Sequence, residues 1–562
     1  MQRWVRQQAM TNRRRFVRRA AIRMGGLAGA ASLLIGCGTK GSERDTSGAQ
    51  TPVTEAAQLP AETPPKPGGE LCEATIVQAP HFSPFHPGAD PAYVNTWRRS
   101  YGYYDYLWTF KDANIPERMV LMLAETVEQP DETTVIVHLS PSNFHNRAPA
   151  NGREVTAEDV VETLEFLSKP PASGGLFLQS GKDLRTINVV DESTVRFEMF
   201  GPRAFFYEEL QGGTDTGKSI VPMEMLDEKT LKETIPVGSG PYEYQAHTQG
   251  SIEEVKRNAT YRTAEQPYID ERKLTFLPDQ AAIEAAFRAN QIETIRFNDV
   301  KQKDAVGKDL GNKIVIETRP STSGMALIVN INRDPWKDIR VREAIYRAID
   351  VDRVINVVYF GDAERTWYFS KARFDRSPLG PEAVNDYISY DPKKATELLK
   401  AAGVDPNEQY EFMVPVEAQT WVDSARLIAE DLRAIGLRVW VNPVVRNIYL
   451  QRAGPQPGDF EISMSLLQDY RNATSNSGTY WNSSSLRDQE IDAMVSRIFE
   501  TVDSDQRTRL SHEFEMTLAR KYSNLIPIVS TKIHYGWYSY VKGVDPDFHP
   551  YNGLQAKRWL DK

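Results

Sequence analysis

The chain is poor in cysteine and histidine, with two of the first and eight of the second among 562 residues. Two cysteines cannot build the disulfide framework that holds small secreted domains together. The eight histidines show no strong metal-ligand spacing. No uncharged apolar run reaches the ~20 residues that a membrane-spanning helix needs. The fold must therefore depend on its own hydrophobic core, for which a hydrophobic content of 40% is ample.

Acidic residues are absent from the first 36 positions, which carry eight arginines. Four of these positions form a twin-arginine pattern that resembles an export signal for folded proteins: Arg13, Arg14, Arg15 and Phe16. The uncharged stretch 24–36 then ends in Leu-Ile-Gly followed by Cys37, which resembles a bacterial lipobox. A basic amphipathic start is the alternative. We expect residues 1–36 to be a signal peptide and Cys37 to carry a lipid that anchors the protein outside the cytoplasm.

Removal of residues 1–36, with their eight positive charges and no negative one, changes the net charge from −9 to −17. Such an acidic protein repels nucleic acid, so we expect no nucleic-acid partner. Acylation of Cys37 would leave Cys72 unpaired, whereas a disulfide between the two is the alternative. Residues 37–68 are rich in Gly, Ser, Thr and Pro and predict a disordered tether.

Strand and helix patterns alternate after residue 68. Residues 133–139 alternate apolar and polar as a strand does, and residues 187–199 have the pattern of a hairpin. Residues 341–350 carry an apolar stripe at helical spacing. Helix-capping residues precede the predicted helices at Thr156, Asp279, Asp338 and Asp391. The alternation predicts mixed α/β lobes.

Several short motifs follow one another along the chain. They lie at residues 68–71, 123–127, 144–145, 155–161, 236–242, 340–350 and 390–399. Each is weak alone, but together their order and spacing resemble those of the family 5 extracellular solute-binding proteins. These are the dipeptide-, oligopeptide- and nickel-binding subunits of ABC importers.

The resemblance implies an α/β, two-lobed fold of the periplasmic-binding-protein type (hinged, class II) with an inserted third subdomain. Lobe I would consist of residues 69–110, 200–318 and 535–562. The insertion would occupy residues 111–199, and lobe II would occupy residues 319–534. Hinge crossings would fall near residues 327–332 and 526–535. A solute bound between the lobes stabilises the closed form, which docks to the transporter permease. No bond is broken, and no enzyme activity, cofactor or metal is expected.

The identity of the solute depends mainly on Asp469, with Tyr470 beside it. The stretch resembles the one where peptide-binding members carry an aspartate that pairs with the α-ammonium group of the peptide. A turn-capping role for Asp469 is the equal alternative. Where oligopeptide binders place arginines, this chain has Gly454 and Ser463.

Aromatic residues give a second indication of the solute. Tyr480 and Trp481 follow Asp469 closely, and Tyr101 lies in an aromatic-rich stretch of lobe I. Aromatic faces also suit sugar rings, so an oligosaccharide is the alternative solute to a peptide. Core or interlobe packing is the other explanation of these side chains.

Other motifs have unsuitable contexts. Residues 212–219 match the P-loop pattern, but no buried apolar strand precedes them and Pro222 follows closely. His81 and His86, with Asp90 beyond, form only a loose metal-binding pattern. No nucleophile and base stand in a recognisable arrangement, although a secreted lipoprotein hydrolase on a similar scaffold remains the alternative of a different class.

Overall fold

The computed structural model describes residues 64–76, 82–85, 102–110, 119–168, 183–210, 218–263, 265–367, 389–416, 418–453, 458–467, 488–544 and 554–562. Residues Lys66–Lys562 form one compact unit, and all the elements below belong to it.

The first half of this unit is mostly strands. They are β1 (Glu70–Thr75), β2 (Trp108–Phe110), β3 (Met119–Leu121), β4 (Ala124–Asp131), β5 (Thr134–Leu139), β6 (Leu184–Asp191), β7 (Thr194–Met199), β8 (Tyr242–Thr248), β9 (Ile252–Arg257), β10 (Glu271–Phe276) and β11 (Thr294–Phe297). The helices are α1 (Ala157–Ser168), α2 (Phe206–Glu209), α3 (Glu228–Glu233), α4 (Gln280–Arg288) and α5 (Val300–Leu310).

The second half contains more helix. Its strands are β12 (Ile314–Val329), β13 (Ala363–Arg365), β14 (Gln409–Pro415), β15 (Arg438–Val444), β16 (Ile462–Leu467), β17 (Leu525–Tyr538), β18 (Val541–Lys542) and β19 (Trp559–Leu560). Its helices are α6 (Ile339–Ala348), α7 (Val351–Val358), α8 (Pro392–Ala402), α9 (Gln419–Ala434), α10 (Arg446–Ala453), α11 (Gln489–Glu500) and α12 (Ser504–Thr517).

The local signals in the sequence set these boundaries. Asp279, Asp338 and Asp391 each accept a backbone N–H from the first turn of the following helix, at 2.8–2.9 Å. Gly403 ends α8 with φ of +73°, a left-handed conformation that glycine adopts without a Cβ penalty. The predicted strand at 133–139 and the predicted hairpin at 187–199 are both confirmed, as β5 and as β6 with β7.

A four-stranded antiparallel sheet in the order β4-β5-β7-β6 occupies the region predicted as the insertion. Alternate side chains of β5 and β7 point into the core, as the period of two requires. Helix α1 packs against β6 and β7. We call the apolar cluster here the insertion core; it includes Val135, Val137, Leu164, Phe197 and Phe206. The same cluster continues into β8, β9 and β10 through Tyr242, Val255 and Leu274, so the insertion and the first lobe pack as one body.

A second four-stranded sheet has the order β1-β10-β9-β8, with β1 parallel to β10. Behind it, β11, α4 and the end of β17 enclose a further cluster. We call this cluster the first-lobe core; it includes Leu71, Phe287, Ile295, Ile314 and Trp537.

The largest sheet has the order β11-β17-β12-β16-β14-β15, with β13 added beside β17. Its long strands β12 and β17 pair antiparallel, and both extend between the first-lobe core and a third apolar cluster. We call this the second-lobe core; it includes Met325, Leu327, Phe412, Ile428 and Val529. Two strands therefore connect two separately packed bodies.

The segments of β12 and β17 between the two cores are residues 317–324 and 530–534. The pairing register shifts here, between Pro320 and Gly324. Leu327 and Ile526 face each other and already lie inside the second-lobe core. The crossing on β12 therefore precedes residue 327, earlier in the chain than the sequence predicted.

The predicted α/β fold with two lobes is confirmed, because separate cores lie on either side of the crossing strands. The lobe boundaries at 110, 199, 318 and 534 stay predictions. Among the described residues, no helix is long and apolar enough to cross a bilayer.

Candidate functional site

The carboxyl ends of three parallel strands form one edge of the second-lobe sheet. Strand β14 is parallel to both β15 and β16, and the three end at Pro415, Val444 and Leu467. Gly324 of β12 lies opposite Leu467 in an antiparallel pair. Because β12 arrives there from the first lobe, this edge faces the first lobe. Open α/β sheets bind ligands outside the carboxyl ends of their strands, so this edge is the candidate site.

Apolar side chains are exposed at the same edge. Val416 and Val445 directly follow β14 and β15 and are 44% and 55% exposed. The backbone N–H of Val416 donates to the carbonyl of Val444 at 2.8 Å, which keeps the two strand ends together. Ile448 on α10 is 41% exposed. The sequence analysis did not name these residues. An apolar residue directly after a strand pattern is the sequence signal that would have indicated Val416 and Val445.

A polar cluster joins the two crossing strands. Thr318 and His534 face each other across β12 and β17, and the Oγ1 and Nδ1 atoms are 2.8 Å apart. The other ring nitrogen, Nε2, lies 2.5 Å from Oδ2 of Asp362, in the turn before β13. Lys532 Nζ is 3.4 Å from Oδ1 of the same carboxylate. The cluster therefore fixes the turn before β13 to both crossing strands.

This hydroxyl–imidazole–carboxylate chain has the connectivity of a catalytic triad, but its setting is structural. Thr318 lies inside a strand paired along its length, and not at the sharp turn that exposes a nucleophile. His534 is only 3% exposed. A strand interior also lacks the convergent N–H groups that stabilise an oxyanion. The geometry suits a mechanical connection between strands better than acyl transfer.

The motif residues His145, Gly238 and Gly240 support the segment that follows Tyr101. The Nε2 atom of His145 donates to the carbonyl of Gly240 at 3.0 Å, and Nδ1 accepts the N–H of Gly238 at 3.3 Å. Gly240 N–H donates to Tyr103 at 3.0 Å. A Cβ atom on Gly238 would lie 2.1 Å from the carbonyl oxygen of Tyr103. Only glycine permits this approach, which explains the spacing of the motif.

Burial controls the protonation of His145. The side chain is 1% exposed, and its loss of hydration lowers its pKa to about 4. The imidazole is therefore neutral at physiological pH, which its one donated and one accepted hydrogen bond require.

Asp159 explains the motif at 155–161. Its carboxylate is fully buried and accepts two hydrogen bonds from Arg153, at 2.8 and 2.6 Å. It also accepts the N–H and the hydroxyl of Thr156 at 2.9 and 3.0 Å, and the N–H of Met223 at 3.1 Å. The motif thus secures α1 to the 3₁₀ turn at Met223–Met225.

The predicted ligand-binding residues lie outside the described residues. They are Tyr101, Asp469, Tyr470, Tyr480 and Trp481. The same holds for the export pattern at Arg13, Arg14, Arg15 and Phe16, for the lipid site at Cys37, and for His81, His86 and Asp90. Their roles stay predictions.

Ser463 has a position that changes its interpretation. It is the second residue of β16, is fully buried, and donates from Oγ to the carbonyl of Met413 at 3.0 Å. A side chain here lies in the core and not at the carboxyl edge. The lack of arginine at position 463 therefore carries no information about how a solute carboxylate is held.

Two further motifs can be compared with the described part of the chain. Lys218 and Ser219 of the P-loop pattern are buried in a non-helical segment, whereas a P-loop ends in a helix. Within the described ranges, no group of three or more His, Cys, Asp or Glu is arranged to hold a metal ion.

A sequence model of one protein family matches residues 118–488, about two thirds of the chain: the bacterial extracellular solute-binding proteins, family 5. The chain belongs to this family. Its members are solute-binding proteins of transporters.

Individual relatives are more distant. A Brucella ovis protein named for peptide binding by an ABC transporter is 25% identical over 344 residues, 59% of this chain and 61% of that protein. The oligopeptide-binding protein AppA of Bacillus subtilis is 25% identical over 71% of this chain and 73% of its own. The structure of DppA from Helicobacter pylori with the peptide STSA superposes with a TM-score of 0.72 at 22% identity, covering 88% of this chain and 99% of that one.

Proposed function

We propose that this protein is the extracytoplasmic solute-binding subunit of an ABC importer and that it captures peptides between its lobes by hinge closure. The observation that carries the proposal is the carboxyl edge of β14, β15 and β16, which faces the first lobe across two connecting strands. A solute in that space contacts both bodies, so binding favours the arrangement in which they are close. Peptide binding by the named relatives supports the solute class.

Asp469 is proposed as the partner of the peptide α-ammonium group. It follows the end of β16 by two residues in sequence, and β16 ends at the carboxyl edge. A carboxylate in a cleft without water needs a hydrogen-bonding cation to offset its desolvation, and a free amino terminus supplies one. Tyr101, Tyr470, Tyr480 and Trp481 are proposed to contact the rest of the solute.

Export and anchoring complete the proposal. The twin arginines at 13–15 direct export, and Cys37 carries the lipid that holds the protein to the membrane near its permease. Replacement of Cys37 by serine should release the protein into the soluble fraction. A Cys72→Ser variant serves as the control and should stay with the membrane. Equal retention of both variants would contradict the lipid anchor.

The experiment that tests the solute is thermal unfolding with a panel of peptides of two to nine residues, cello- and xylo-oligosaccharides, and Ni²⁺. A ligand at a hundred times its dissociation constant adds about 2.7 kcal/mol to the unfolding free energy. Peptides should raise the melting temperature of the wild type and of the control Asp505→Asn, but not of Asp469→Asn. A response to oligosaccharides alone would replace the peptide assignment. Hydrolysis of a panel compound would favour the hydrolase alternative.

A further inference from the structure

Two adjacent phenylalanines belong to different cores. Phe206 is 1% exposed and packs in the insertion core, with its ring centroid 5.3 Å from that of Phe197. Phe205 packs instead against the second-lobe core, 5.0 Å from Phe499 at the end of α11. The chain segment before α2 is therefore a point of direct contact between the two bodies.

Several specific interactions make up this contact. The N–H of Ala204 donates to the carbonyl of Phe499 at 2.7 Å. The guanidinium of Arg203 lies 5.0 Å from the Phe499 ring centroid, and that of Arg507 lies 5.2 Å from the Phe205 ring centroid. Each body thus places one cation over an aromatic ring of the other.

Each side of the contact is held by its own body. Arg203 pairs with Asp183 at 3.0 Å and with Glu209 at 3.0 Å, both on the side of the insertion core. Arg507 donates to the carbonyls of Thr501 and Val502 at 2.8 and 3.0 Å, on the second-lobe side. The interacting groups are therefore already oriented before they meet.

A change in the angle between the bodies must act on this contact. Phe206 is fixed in its core, so its neighbour Phe205 cannot follow the second lobe when the lobe moves away. Opening would withdraw the Phe205 ring from Phe499 and separate Ala204 N–H from its acceptor. The contact therefore stabilises only the arrangement seen here. An interaction present in one arrangement and absent from the other shifts the population toward the first.

We infer that the arrangement seen here is the closed one and that the segment Arg203–Phe205 is a latch that stabilises it through Phe499 and Arg507. The inference rests on the proposed capture of solute by closure. The latch lies outside the predicted contacts with solute. It therefore changes the equilibrium between open and closed lobes and does not determine which solute is bound. A fixed joint, which never opens, is the competing explanation of the same contact.

Hydrogen–deuterium exchange of the full chain without solute distinguishes the two. A latch predicts that the Ala204 amide exchanges at least about tenfold faster than the amide of Met199, which is bonded to Thr133 within the insertion. Exchange should still be slower than in the Phe205→Ala variant. Protection of Ala204 equal to that of Met199 would indicate a fixed joint and overturn the latch. The absence of protection in the wild type would overturn it as well.

Distances between the lobes provide the second readout. Spin labels at Lys229→Cys and Lys393→Cys report on the separation of the bodies, in a background where Cys37 and Cys72 are both replaced by serine so that no other thiol is labelled. Phe205→Ala should increase the longer-distance population at least about threefold. The control Phe200→Ala removes an exposed ring nearby and should leave the distances unchanged. If Phe205→Ala does not fold, Phe205→Leu replaces it.

Unchanged distances in the Phe205 variant, together with a lower melting temperature, would overturn the latch. Both measurements are made without solute. Failure of the peptide assignment therefore leaves them interpretable, and failure of the latch leaves the peptide assignment intact.

Discussion

Asp362 Oδ2 lies 2.5 Å from Nε2 of His534, a residue 172 positions away in the sequence. The pair joins the turn before β13, which belongs to the second lobe, to the strand that returns to the first lobe. Because His534 also contacts Thr318 on β12, both crossing strands are held by one buried imidazole. The connection between the lobes is therefore a supported pair of strands.

Replacement of Asp362 by alanine tests this support. It removes the acceptor for the buried imidazole and the partner of Lys532, and we expect the unfolding free energy to fall by about 1–3 kcal/mol. Urea unfolding of the variant measures the loss. The control is Glu364→Ala, an exposed residue two positions further along in β13. Equal stability of the two variants would contradict the role of Asp362.

The buried His145 predicts an acid-sensitive stability. Its pKa is about 4 in the folded protein and 6.5 when unfolded, so the unfolded chain binds the proton first as the pH falls. Above about pH 6.5 His145 is neutral in both the folded and the unfolded protein, so it does not reduce the unfolding free energy. Between there and about pH 4 the protein loses roughly 3 kcal/mol through this residue.

Urea unfolding between about pH 7.5 and about pH 4.5 measures this dependence. His145→Gln should be less stable at neutral pH and should show a smaller loss on acidification. The control is His138→Gln, at a partly exposed position on β5, and the pH slopes of the two variants are compared. A His145 variant with an unchanged slope would contradict the prediction.

Asp159 is predicted to be the residue of its motif that matters most for stability. Asp159→Ala leaves Arg153 without its buried partner and removes the acceptor of three other donors, so we expect a loss of about 3–5 kcal/mol. The adjacent Glu158→Ala, on the exposed face of α1, should change stability by less than about 1 kcal/mol. Thermal unfolding compares the two. Similar effects of the two substitutions would contradict the role assigned to Asp159.

Gly240 is predicted to tolerate no side chain. A Cβ atom there would lie 2.0 Å from the carbonyl oxygen of Gly102, so Gly240→Ala must displace backbone and should cost about 3 kcal/mol or more. At Gly201 a Cβ atom meets nothing within 4 Å, and Gly201→Ala should be nearly neutral. Chemical denaturation of both variants measures the difference. A neutral Gly240→Ala would show that the segment after residue 101 can shift.

The parts of the fold that depend on interactions between residues close in sequence could be predicted from the sequence. The caps at Asp279, Asp338 and Asp391 depend on residues within one helical turn, and the hairpin of β6 and β7 depends on alternation and a short turn. The family resemblance likewise came from motifs whose residues contact each other, such as His145 with Gly240. Hence the α/β class, the two-lobed fold and the family were all predictable.

The tertiary structure decided what depends on distant contacts. The pairing of Thr318, His534 and Asp362, the burial of Ser463 and the early crossing on β12 follow from strand register, which sequence spacing does not specify. Phe205 and Phe206 look alike in the sequence, yet they pack in different bodies. Local hydrogen bonds and periodicity are encoded over a few residues, whereas the meeting of two cores is set by how whole sheets pack.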